Sequence, residues 1–129
     1  MPGDTKERIR QLSDHMMEMD NGNFLLSEQF SRFCREYDID EIWDGLLASA
    51  GDRPDLYGKE GLRHAFSRLL EHLYQKKRAD FPRILSGLVA LVPKKASDLL
   101  YLSTIRKDLS ALGYSRDDAE VYFSAKGSQ

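Results

Sequence analysis

His64, Arg68, His72 and Lys76 recur every fourth residue, and Lys77, Arg78 and Arg83 follow them closely. On an α-helix such a ladder runs down one flank, so its cations could together meet the phosphates of RNA or DNA. Glu71 interrupts the polar face, and a pI near 5.9 lies well below the strongly basic range of many nucleic-acid modules. The same flank could instead meet an acidic protein surface or simply be solvated. These seven side chains are the candidate contacts for a partner or for phosphate.

Glu36, Asp38, Asp40, Glu41 and Asp44 form the densest group of carboxylates. Paired carboxylates can hold a divalent cation or divide acid and base roles, but no His lies close in sequence, and Asp40 and Glu41 suit a helix start. "DNGNFLLSEQF", residues 20–30, has the look of a calcium loop. With Gly22 in the sixth position Glu28 falls in the twelfth, yet the first and third positions fall on Met17 and Met19, whose thioethers are poor ligands for a hard cation. An Asn-Gly turn with Ser27 capping the next helix is the expected structure. His64 and His72 stand two turns apart rather than the single turn of a chelating pair, and His15 borders a stripe of methionines. Cys34, the only cysteine, shares a helical face with Phe30, Phe33 and Tyr37, which suits a buried thiol better than a nucleophile. There is no Gly-x-Ser-x-Gly and no Gly-rich phosphate loop. No catalytic residue, metal site or cofactor is expected, and the chain is not read as an enzyme.

Two local likenesses accompany these residues. Arg68 and His72, with three residues between them, are similar to the Arg–His motif of the HEPN ribonucleases, in which four to six intervene. At this shorter spacing the ribonuclease activity is not carried over. "LSALGYSRDDAEVYF", residues 109–123, resembles the helix–turn–helix start of ubiquitin-associated-like domains and of TrmB-type archaeal regulators, which share a Leu-Gly-aromatic turn and an acidic-Ala helix. That resemblance spans about an eighth of the chain and implies a shared local motif, a Gly C-cap followed by a Ser N-cap.

The elements that must position these residues are helical throughout, since no segment shows sustained period-two alternation. Apolar spacing predicts helices near 4–20, 27–37, 40–50, 59–78, 81–92, 97–112 and 115–124. The first carries Ile9, Leu12, Met16 and Met19 as a narrow seam, and Asp40 is read as the cap of the third. "GDRPDLYG" at 51–58 is the longest irregular connection. The fourth helix presents Leu62, Phe66, Leu69, Leu70 and Leu73 on one face, and Pro82 fits the first turn of the fifth. That fifth helix is apolar on most sides, so the expected fold is a compact, single-domain, all-α bundle of six to seven helices around a central helix at about 81–92. Gly113 stands where a helix C′ glycine belongs.

At 129 residues, 41% hydrophobic and 31% charged, the composition is that of one globular domain rather than a disordered or fibrous chain. No apolar run approaches the roughly 20 residues that span a bilayer, and "MPGDTKERIR" lacks the apolar core of a secretory signal, so a cytoplasmic protein without a membrane partner is expected. The net charge of −2 conceals an asymmetry: residues 1–58 hold 6 basic and 13 acidic side chains, residues 59–83 hold 7 and 3. Charge so divided could orient a partner or drive head-to-tail self-association. The functional expectation is a non-catalytic protein–protein interaction or adaptor domain, which includes a homo-oligomer. The alternative is a nucleic-acid-associated accessory protein that uses the basic flank 64–83.

Overall fold

The computed structural model of the chain describes residues 3–18, 24–52, 59–91 and 98–114. Within them lie six α-helices: α1 Gly3–Glu18, α2 Glu28–Glu36, α3 Asp40–Gly51, α4 Lys59–Lys76, α5 Phe81–Val89 and α6 Asp98–Ala111. The architecture is an all-α bundle, as the periodicity predicts. The expected helix at 115–124, the Asn-Gly turn at 20–23 and most of the 51–58 connection lie outside the described residues, as does Met19.

Helix α4 shows why the bundle forms. Leu62, Ala65, Phe66, Leu69, Leu70, Leu73 and Tyr74 are all buried, at the three- and four-residue spacing that aligns one face. Each fully buried Leu or Phe contributes about 1.5–3 kcal/mol, against at most about 1 kcal/mol for an exposed ion pair, so the apolar stripe decides which way the helix faces. It packs on α3 to one side and on α1 to the other, and α1 in turn packs on α6. Both α4 contacts are antiparallel. Lys6 meets Glu71 while Asp14 meets Arg63, and Ala50 at the end of α3 lies against Gly61 at the start of α4.

Helix α5 is the apolar helix the sequence marks, burying Phe81, Pro82, Ile84, Leu85 and Leu88. It ends at Val89, earlier than the expected 92, and α4 rather than α5 has the most extensive packing on its neighbours. One buried cluster joins these side chains to Ile9, Leu12, Met16, Met17, Phe30, Trp43, Ile105 and Leu109. Gly87 of α5 is so close to α2 that a Cβ there would stand 2.8 Å from Phe33 Cε2.

Two boundaries depart from expectation. Ser27 does cap α2, accepting from the Phe30 N–H at 3.2 Å while its own hydroxyl donates to the Phe24 carbonyl. Asp40, however, is not the cap of α3: Ile39 holds that position, with no side-chain cap, and Asp40 is the first helical residue. The reason lies in the turn before it. Asp38 adopts φ +59°, its N–H bonds the Arg35 carbonyl, and the Ile39 N–H bonds the Cys34 carbonyl at 2.8 Å. This is a Schellman closure of α2 that delivers the chain directly into α3. Likewise α4 stops at Lys76 rather than 78, because Lys77 turns to φ −134°, ψ 47° and a 3-10 turn follows at Arg78–Asp80. Gly113 closes α6 as expected, at φ +102°, with Tyr114 N–H to the Leu109 carbonyl and its own N–H to that of Ser110.

Candidate functional site

Helix α4 carries His64, Arg68, His72 and Lys76 on one continuous helix, while Lys77, Arg78 and Arg83 lie past its end. Arg68, 54% exposed, directs Nε to Glu71 Oε2 at 3.5 Å. His72 is partly buried, and burial first, then the charges of Lys76 and Lys77, lower its pKa below the ordinary 6.5, which favours the uncharged ring. Arg78 lies 4.5 Å over the Tyr74 ring, beyond the end of the helix, and Arg83 pairs with Asp80 at 3.5 Å. His64 is half-buried. Lys76 and Lys77 are exposed and form no ion pair with another described residue.

The tail of the ladder is held by aromatic packing. Tyr74, Phe81 and Tyr114 surround one another with ring centroids 5.5–6.2 Å apart. The Tyr114 hydroxyl donates to the Arg78 carbonyl and the Tyr74 hydroxyl to that of Leu112, which ties the end of α6 to the α4–α5 junction. In the Leu-Gly-Tyr turn of the 109–123 stretch, the aromatic therefore serves the core.

Beside Arg68 and His72 opens a groove of about 420 Å³ between α1, α3 and α4, whose lining includes Lys6, Ile42, Leu46 and Gln75. Ile42 and Leu46 are only half-buried and form its apolar wall. Glu71, 12% exposed, stands among them and faces two cations, with Lys6 Nζ at 3.9 Å from Oε1 and Arg68 on the other oxygen. In the sequence Glu71 interrupts a basic face; in the fold it gathers Lys6 and Arg68 at one rim. Lys6 escapes sequence reasoning because 62 positions separate it from Arg68. Ile42 and Leu46 had a weak signal, since Ile42, Trp43, Leu46, Leu47 and Ala50 span more of α3 than one core contact needs.

The remaining candidates are placed elsewhere. Cys34 is buried and its pKa is pushed up to about 12, chiefly by burial and then by the charges of Asp40 and Asp44, so it stays a thiol. His15 Nδ1 lies 2.7 Å from Asp108 Oδ2, bridging α1 and α6. Burial raises the Asp108 pKa, and the hydrogen bond and charge of His15 oppose that rise. Glu28, the twelfth position of the calcium-like stretch, pairs with Arg32 at 3.2 Å, and Met17 is buried. Among the described residues no three His, Cys, Asp or Glu side chains converge as a metal ion needs, and no helix is long and apolar enough to cross a membrane. Comparison with protein-family models, curated proteins and solved structures finds no match to this chain.

Proposed function

We propose that this chain is a non-catalytic helical domain that binds another protein through the surface formed by α1, α3 and α4. One observation carries the reading: a groove with a half-buried aliphatic wall of Ile42 and Leu46 opens between α1, α3 and α4, beside Lys6 and Arg68. Phosphate recognition gains affinity from several cations acting at once, and here Lys6 and Arg68 share the carboxylate of Glu71, Arg83 faces Asp80, and burial lowers the His72 pKa. A wall of Ile42 and Leu46 contributes nothing to a phosphate but shelters an apolar side chain from water. The buried Cys34 thiol is unsuited to nucleophilic work, which agrees with a binding role.

The test is a photo-reactive residue at Gln75, on the groove, compared with one at Gln29, exposed on α2, combined with titration of labelled RNA and DNA at two salt concentrations. A discrete protein adduct from Gln75 and not from Gln29, with no nucleic-acid binding at low salt, is the expected result. Nucleic-acid affinity that falls steeply with salt would instead establish the basic flank as a phosphate surface.

A further inference from the structure

We infer that the groove between α1, α3 and α4 takes an acidic amphipathic peptide segment of the partner, with an aliphatic or aromatic side chain against Ile42 and Leu46 and a carboxylate at Lys6 and Arg68. This rests on the reading of the chain as an interaction domain and specifies what it recognises. Charge complementarity selects the occupant. Lys6 and Arg68 belong to different helices, are 63% and 54% exposed, and are drawn to one rim by the single carboxylate of Glu71. Their separations from it, 3.9 and 3.5 Å, exceed the roughly 2.7–3.2 Å of a formed N–H···O bond, so both retain donors for a second carboxylate. Arg68 uses Nε toward Glu71, and its two Nη groups match the fork of an incoming Asp or Glu. Two cations against one anion leave the rim positive. A basic segment would meet Lys6 and Arg68 as like charges, and a purely apolar one would leave their donors without a partner. The apolar wall is small: a groove of about 420 Å³ receives one or two side chains, not the face of a whole domain. A short segment presenting an apolar residue beside an acidic one meets both requirements.

The experiment selects a random-peptide phage library on the full chain and counter-screens it on the double variant Lys6→Glu, Arg68→Glu. Both positions are exposed, so helicity by circular dichroism is expected to be unchanged in the variant. Enrichment of peptides that pair Asp or Glu with Leu, Ile, Phe or Trp is the expected outcome. Binding of the selected peptide should weaken at least about tenfold in the double variant, and by a similar factor when the peptide's own apolar residue is changed to Ser. Enriched peptides without acidic residues, equal binding to the double variant, failure to enrich any peptide, or displacement of the peptide by an oligoribonucleotide of equal charge would each overturn the assignment. If that happens while the Gln75 photo-probe still captures a discrete protein, the interaction-domain reading stands and only the acidic-peptide assignment falls; capture at Gln29 alone overturns both. If neither probe captures one, both readings fall.

Discussion

Asp38 and Gly113 do the same work at the ends of two helices, and the comparison isolates what a side chain costs there. Both take positive φ in a Schellman closure, but Gly has no Cβ to strain and Asp does. Asp38→Gly should therefore stabilise the fold by about 0.5–1 kcal/mol, and Gly113→Ala should destabilise it by about 1 kcal/mol or more, read from denaturant midpoints. One member of the carboxylate cluster of the sequence therefore stands in the turn that closes α2. His72 gives a pH dependence of definite sign. Its pKa is lower in the folded state than the ordinary 6.5, so the stability it contributes is present above pH 6.5 and is lost as pH falls through the lowered folded-state value. His72→Gln should accordingly make the loss of stability between about pH 7 and pH 5 shallower, by removing the proton that the unfolded chain binds more readily.

At the scale of the helix, close approach matters more than intrinsic propensity. Gly87→Ala would gain about 1 kcal/mol of helix propensity, but its methyl would press on a Phe33 ring that is buried and packed between Phe30 and Tyr37. Overpacking of this kind costs about 1–3 kcal/mol, so a net loss of stability is expected, with partial recovery when Phe33→Leu is added. A rise in melting temperature for Gly87→Ala alone would show that α2 and α5 yield more easily than their packing implies. The α1–α6 contact has a polar clasp in His15 and Asp108, 93 positions apart. A double-mutant cycle with His15→Gln and Asp108→Asn should return a coupling of about 0.5–1.5 kcal/mol, with faster amide exchange in α6 for either single variant. Such a pair is invisible to periodicity, which reports which way a side chain faces and not what it meets. The elements were legible for the opposite reason: Leu62 through Leu73 and Phe81 through Leu88 announce themselves by spacing alone. Their ends were less so, because Asp38 and Lys77 turn the chain through backbone conformations that carry no composition signal.

For the molecule as a whole, antiparallel packing rearranges the charge. The acidic start of α3, with Asp40 and Glu41, lies at the same end of the α3–α4 pair as the basic finish of α4, with Lys76, so the segregation seen along the sequence is partly cancelled in space. Head-to-tail association driven by that segregation is correspondingly disfavoured. Sedimentation across the micromolar range at low and high salt should show one species of about 14.8 kDa, and a mass that grows with concentration at low salt only would restore the self-associating alternative. The sequence by itself determined that the chain is helical, which residues of each helix are apolar, and where Ser27, Pro82 and Gly113 punctuate them, because these follow from local spacing and backbone preference. Only the tertiary structure decided that Lys6 would join Arg68 at Glu71, that burial would lower the His72 pKa and that Ile42 and Leu46 would stay half-open. Those properties depend on which helix packs beside which and in what direction. Coulomb and burial energies follow distance in space, and spacing along the chain does not encode it.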